Sequence, residues 1–252
     1  MIRATLARLK QKHRTVAFPR TEPVLPARFR GRPVFGDQSC DEGCCRCSES
    51  CPTGAIAVEK QRPVIDLGRC LFCNDCVEAC PRACLSFSNN YELAARGRKD
   101  LLVSAAHPLP DLAPLGNRLR RLLGRSLKLR QVSAGGCAAC EADVNVLGTV
   151  VFDLSRFGVQ FVASPRHADG LLVTGPVTKN MELALRKTYD AVPGPKIVIA
   201  LGACAISGGL YRGHTEANNG VDGILPVDLW IPGCPPSPYT TLSAILRMLG
   251  RR

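Results

Sequence analysis

Residues 40–52 read CDEGCCRCSESCP and residues 70–81 read CLFCNDCVEACP. Thiolates set two or three residues apart are soft ligands, suited to iron–sulfur chemistry. In the second run, Cys70, Cys73, Cys76 and Cys80 precede Pro81. That is the bacterial-ferredoxin spacing, in which three close thiolates bind one cubane and the fourth crosses to the other. A single shift of register lays Cys73, Cys76, Cys80 and Pro81 on Cys44, Cys47, Cys51 and Pro52. The chain thus contains an internal repeat. Its spacing assigns Cys70, Cys73, Cys76 and Cys51 to one [4Fe–4S] cluster, and Cys44, Cys47 and Cys80 to another. Structural zinc fits poorly, because zinc ribbons and fingers separate their cysteine pairs by longer intervals.

The first run is not a copy of the second. Cys70 falls on Asp41, beside Cys40, so the first run carries a one-residue insertion. Three species could complete its cubane: Cys40 reaching one residue further, Asp41 as an oxygen ligand, or a cluster lacking one iron. Cys40 is the reading adopted, since a thiolate suits the cluster better than a carboxylate. Cys45, between two ligands, and Cys84, four residues past Cys80, are read as small buried or half-buried thiols.

The remaining cysteines are Cys137, Cys140, Cys204 and Cys234. They are far apart in sequence, so a fold must gather them. From Leu129 the pattern is α/β: VQFVAS, GLLVTG, KIVIAL and VDLWIPG are short apolar runs of the kind that form buried parallel strands. Helical spacing is read in NVLGTVVFDLSRFG, TKNMELALRKTYDAV and PYTTLSAILRML. Such alternation predicts a doubly wound sheet, whose sites lie beyond the carboxyl ends of the strands. Each of the four cysteines falls at such an end, which predicts a third [4Fe–4S] cluster. A thioredoxin-like redox pair at Cys137 and Cys140 is opposed by Gly135 and Gly136 before it, and by Cys204 and Cys234 in GACAISGG and PGCPPSP. Twelve ligands in three sets of four leave only Cys45 and Cys84 over.

The chain has 252 residues, 14 cysteines and a formal charge of +12. Its Cys-x-x-Cys spacing, its length and the lack of a secretory signal argue against a disulfide framework. The charge counts every thiol as neutral. Three cubanes at about −2 each would reduce it to about +6, and few aromatics interleave the basic residues, so nucleic acid is not an expected partner. No apolar run is long enough to span a bilayer. A cytoplasmic chain is expected. Residues 1–14 form an expected amphipathic basic helix with Ile2, Leu6 and Leu9 on one face, followed by an extended Pro- and Arg-rich stretch. No nucleophile–base arrangement and no phosphate-binding loop occur.

Several stretches carry a family resemblance. LGRSLKLRQVSAGGCAACEADVN, SPRHADGLLVTGPVTKNM, GACAISGG and IPGCPPSP resemble the small subunit of group 4 membrane-bound [NiFe] hydrogenases such as formate hydrogenlyase. That subunit is homologous to the quinone-side cluster subunit of respiratory complex I. Cys137 and Cys140 are separated by two alanines, a hydrogenase-like spacing. The first half, with FRGRP, resembles the ferredoxin-type subunit of the same complexes, which also has a homologue in complex I. The resemblance implies a fusion: a basic arm over 1–35, an α+β ferredoxin-like double-cubane domain over 36–92, a linker with a basic helix over 93–130, and an α/β doubly wound, flavodoxin-like domain over 131–252. It implies an electron-transfer subunit, peripheral on the cytoplasmic face of the membrane. Its partners would be a hydrogenase large-subunit-like protein or the complex I subunit that corresponds to it, membrane-arm subunits, and an electron donor module or ferredoxin. The family usually carries Glu three positions after the second cysteine of the pair; here that position is Asp143, with Glu141 nearer. Either carboxylate could relay protons, and His167 could hydrogen-bond near a cluster.

Overall fold

A computed structural model describes residues 2–252; Met1, included above in the basic helix, lies outside the described residues. Helix α1 (Ile2–Gln11) buries none of its residues. After it the chain runs extended, as its Pro content requires. Val16 N–H donates to the Val151 carbonyl at 2.9 Å, and Phe18 is buried among the rings of Tyr91 and Tyr239. Arg252 closes this strap, pairing with Glu22 at 2.7 Å and lying over the Phe18 ring.

The cysteine-rich region then builds β1 (Pro33–Phe35), α2 (Arg46–Glu49), β2 (Ile56–Glu59), β3 (Arg62–Asp66), α3 (Asp75–Glu78), β4 (Leu85–Phe87) and β5 (Leu102–Val103). The sequence repeat is a structural one. Helices α2 and α3 are offset by the same interval as the cysteines, as are the starts of β1 and β3, and of β2 and β4. Left-handed backbone recurs at Gly43 and Phe72, and at Gly54 and Ala83. The halves interlock, with β1 antiparallel to β4 and β2 antiparallel to β3. Strand β5 adds to β3, so part of the expected linker completes this sheet.

Helix α4 (Asn117–Leu123), a basic helix within 93–130, ends at Gly124. There follow β6 (Leu127–Ser133), α5 (Ala139–Val146), β7 (Val159–Phe161), β8 (Gly170–Thr174), α6 (Lys179–Ala191), β9 (Ile197–Leu201), α7 (Gly202–Ser207), β10 (Leu229–Ile231) and α8 (Pro238–Met248). The five strands form one parallel sheet in the order β10-β9-β8-β6-β7. Counted within the sheet, that order is 2-1-3-4-5, the flavodoxin-like doubly wound arrangement. Every residue of β8 and β9 is buried, as a sheet covered on both faces demands. One helix differs from its sequence reading. The helix expected over 145–158 instead begins at Ala139 and stops before Gly148, with only a short 3-10 turn at Leu154–Phe157. Gly148 and the β-branched Thr149, Val150 and Val151 stop it, and Asp153 adopts a left-handed conformation.

The two regions share a core. Ile65, Leu67, Leu101 and Val103 belong to the same apolar cluster as Ala205, Ile206, Val221 and Trp230. Ala95 and Trp230 exchange backbone hydrogen bonds of 3.0 and 2.9 Å, and Ser207 Oγ donates to the Gly68 carbonyl at 2.9 Å.

Candidate metal centres

Three cysteine sets emerge, each assembled differently. In the second repeat, Cys70, Cys73 and Cys76 face one another and Cys51 of the first repeat, across the interlocked halves. Burial pushes the Cys70 thiol up to about 12 and Cys76 up to about 11. Thiols so placed keep their protons near neutral pH, so a metal that holds them as thiolates would have to displace those protons. Phe72 N–H donates to Cys70 Sγ at 3.3 Å and Ala55 N–H to Cys51 Sγ at 3.2 Å. Such backbone donors are among the groups that set a cluster's potential.

The first repeat brings Cys47 toward Cys40 and Cys80. Cys44 enters the same turn, its N–H donating to the Asp41 carbonyl at 3.0 Å. Cys40 is buried, whereas Asp41 is exposed and pairs with Arg82 at 2.5 Å. Its carboxylate thus already has a partner. Cys45 is exposed rather than half-buried and hydrogen-bonds to Glu49 at 2.9 Å. Cys84 is a buried thiol, as expected, but its backbone engages a ligand: Cys84 N–H donates to Cys80 Sγ at 3.3 Å. The signal for that engagement lay in the repeat: Cys84 aligns with Ala55.

The third set lies at the carboxyl edge of the parallel sheet. Order reverses between β6 and β8, and doubly wound sheets place their sites at that switch point. Cys137 and Cys140 follow β6, Cys204 follows β9 and Cys234 follows β10; Cys140 faces the other three. Burial pushes Cys140 up to about 12 and Cys204 up to about 11. Two glycines make room for the sulfurs. A Cβ on Gly202 would stand 2.7 Å from Cys140 Sγ, and one on Gly209 would stand 2.8 Å from Cys204 Sγ. Both have positive φ, +89° and +53°, so a side chain there would also strain the backbone. Both glycines fall in the GACAISGG stretch, but the clearance they provide shows only in the structure.

Glu141 spans the switch point. Its Oε1 accepts hydrogen bonds from Ser133 at the end of β6 (2.6 Å) and Thr174 at the end of β8 (2.5 Å). Burial pushes this carboxyl up, but those two donors outweigh it and hold it below its usual range. Asp143 is pushed up by burial and lines a cleft with Cys234, Pro235, Phe72 and Arg30. That cleft joins the loop preceding Cys73 to the third set. His167 is exposed and is not among the groups facing Cys140, Cys204 or Cys234.

All 14 cysteines are free. Among the described residues no three His, Cys, Asp or Glu side chains stand close enough to grip a single metal ion. Ligands around a multi-iron cluster enclose a larger object than one ion. The all-sulfur donor sets, the backbone donors to sulfur and the glycine clearance fit such a cluster.

Residues 137–248 match the family described as NADH ubiquinone oxidoreductase, 20 Kd subunit. A probable membrane-bound hydrogenase subunit of Pyrococcus furiosus is 42% identical over 132 residues, covering 52% of this chain and 79% of that one. Formate hydrogenlyase subunit 7 of Escherichia coli is 41% identical over 140 residues, covering 56% and 55% respectively. An NADH-quinone oxidoreductase subunit of Desulfovibrio desulfuricans is 42% identical over 113 residues, covering 45% and 61%. The chain therefore spans about half to four-fifths of these relatives' lengths. It belongs to the 20 Kd subunit family of NADH-ubiquinone oxidoreductase and the related membrane-bound hydrogenases. The family match leaves residues 1–136, with the cysteine repeat, outside it.

Proposed function

We propose that this chain is the electron-transfer subunit of a group 4 [NiFe] hydrogenase complex of the formate hydrogenlyase type, carrying three [4Fe–4S] clusters. One-electron transfer is what such clusters supply when bound. The ligands would be Cys40, Cys44, Cys47 and Cys80 for the first, Cys70, Cys73, Cys76 and Cys51 for the second, and Cys137, Cys140, Cys204 and Cys234 for the third. One observation carries the reading: a ferredoxin-spaced double site shares a core and a lining cleft with a switch-point site. The protein's own task is to hold the sulfurs, exclude water from them and donate backbone N–H groups to them.

The edge of the third set favours a partner. Cys137 and Cys234 are exposed, and so are Leu210 and Tyr211 just beyond the Gly209 that clears Cys204. A hydrogenase large-subunit-like protein would cover them. Between the two candidate proton carriers, Asp143 lines the cleft at Cys234, while Glu141 is committed to Ser133 and Thr174. Among the described residues no helix is long and apolar enough to cross a membrane. Membrane-arm subunits and peripheral attachment on the cytoplasmic face are part of the proposal. So is an electron donor module or ferredoxin delivering to the repeat.

A second reading has its own support. Identity to an NADH-quinone oxidoreductase subunit equals that to the hydrogenase subunit, 42% in each case. The partner would then be the nickel-free complex I subunit that corresponds to the hydrogenase large subunit. Metal analysis of the anaerobically purified complex tests both. About twelve irons per chain are expected from three cubanes, with nickel in the large subunit. About eight irons would remove one of the sites, and quinone reduction without nickel or hydrogen turnover would establish the second reading.

A further inference from the structure

A second cleft, of about 600 Å³, opens along the seam between the cysteine repeat and the sheet region and shares no residue with the cleft at Cys234. Its walls carry four cations, Arg69, Arg98, Lys99 and Arg212, against two carboxylates, Asp66 and Asp222. Asp66 is already engaged. It receives Arg98 through both guanidinium ends at 2.8 and 2.7 Å, accepts the Gly68 N–H at 2.9 Å and has Arg69 at 3.7 Å. Arg98 is packed as well as paired, since a Cβ on Gly68 would stand 3.0 Å from its Cζ and 2.5 Å from Ile206 Cγ2. Across the seam, Arg212 has only a carbonyl: its Nη1 donates to the Ser207 oxygen at 3.2 Å. Neither Arg212 nor Lys99 forms an ion pair among the described residues. Positive charge is therefore in excess in the cleft, and two of its cations have no carboxylate.

Cations gathered in one cleft repel one another, and an incoming carboxylate offsets that repulsion while accepting their hydrogen bonds. We propose that this cleft docks an acidic segment of the large-subunit-like partner, with Arg212 and Lys99 taking its carboxylates. The inference rests on the proposed function for the presence of that partner. The surroundings favour a protein segment over a free anion. Arg212 continues the run from Gly209, which clears Cys204, through Leu210 and Tyr211, exposed at 62% and 44%. Leu102, exposed at 52%, lines the cleft on the repeat side. Protein interfaces are enriched in arginine and tyrosine around an apolar centre, whereas an inorganic anion would leave the apolar rim bare. A segment lying here touches both regions of the chain, so the partner that covers the third set would also grip the repeat.

The test is zero-length cross-linking of the intact, anaerobically purified complex with a water-soluble carbodiimide, which joins an amine to a carboxylate in contact with it. Lys99 supplies one amine, and Arg212→Lys supplies a second while keeping the charge. Mass spectrometry should place cross-links from both positions on Asp or Glu residues of one segment of the large-subunit-like protein. The double variant Lys99→Glu, Arg212→Glu should speed that partner's dissociation from the immobilised chain about tenfold or more. Its iron content should stay at about twelve, since neither residue is a proposed ligand. Cross-links from position 212 that reach only Asp66 or Asp222 of the same chain overturn the proposal. So do cross-links to a membrane-arm subunit, and so does an unmoved dissociation rate in the double variant. A nickel-free partner joined at both positions would instead overturn the hydrogenase reading and leave the docking site standing.

Discussion

The cysteine repeat and the parallel-sheet region solve one problem, gathering four sulfurs, by opposite means. In the repeat, a short loop running into one turn of helix presents three cysteines, and the interlocked strands bring the fourth from the other half. In the sheet region no segment holds more than two, and the sheet edge gathers the set. The repeat's sulfurs are the more enclosed: Cys40, Cys47, Cys70 and Cys76 are buried, Cys44, Cys51 and Cys80 half-buried, and Cys73 alone of these eight exposed. The sheet's sulfurs lie at an open rim, with Cys137 and Cys234 exposed. Local spacing suffices where the site is to be enclosed by its own chain. A sheet edge suits a site that a second protein completes.

The strongest challenge to the contrast is at the glycines that clear the sheet-edge site. Gly202→Ala adds a Cβ 2.7 Å from Cys140 Sγ at a residue with φ of +89°. Iron should drop from about twelve to about eight per chain, with the repeat's spectroscopic signals intact. Full iron in this variant would show that the third set does not need the clearance.

A smaller effect is expected at the first site, where the two halves of the repeat diverge. Cys40→Ser should disturb the first-site signal, and Asp41→Asn should leave it unchanged, because Asp41 is exposed and paired with Arg82. An exposed pair contributes at most about 1 kcal/mol. The opposite pattern, with the Asp41 variant losing signal, would make the carboxylate the ligand.

The shared core gives a third test. Leu67 is fully buried in the cluster that joins both regions. Leu67→Ala should cost about 2–5 kcal/mol, measured by denaturant unfolding of the holoprotein. If the regions are energetically coupled, the sheet region should be destabilised along with the repeat. Unfolding confined to residues 33–103, read by hydrogen exchange, would argue that they are independent.

What the sequence makes legible follows the same contrast. The repeat, α4, α6, α8 and the strands β7, β8, β9 and β10 are readable because each has a local period or a local spacing. The set Cys137, Cys140, Cys204 and Cys234 is readable only through the rule that sites gather at strand ends. Gly202 and Gly209 are not, since a glycine's need appears only when a distant sulfur arrives. Nor is the engagement of Glu141 by Ser133 and Thr174, which depends on β6 lying beside β8 rather than β7 alone. The helix expected over 145–158 shows the limit of periodicity, since its apolar spacing continues through residues that cannot keep a helix.

The smallest structural effect is expected at the N-terminus, where a functional one is predicted. Helix α1 exposes Ile2, Leu6 and Leu9 at 78%, 59% and 70%, an apolar face open to solvent. Arg3, Arg8 and Lys10 occupy its other positions. An amphipathic basic helix of this kind binds an anionic membrane interface through buried apolar area and charge together. The strap that follows is anchored independently by Phe18, Val16 and Arg252. Removing residues 2–11 should therefore change unfolding stability by no more than about 0.5 kcal/mol and leave the iron content alone. Flotation with vesicles containing anionic lipid should fall, and added salt should mimic the deletion by screening the charge. Equal flotation with and without the helix would mean that α1 is not the membrane contact, and that attachment runs through the partner subunits alone.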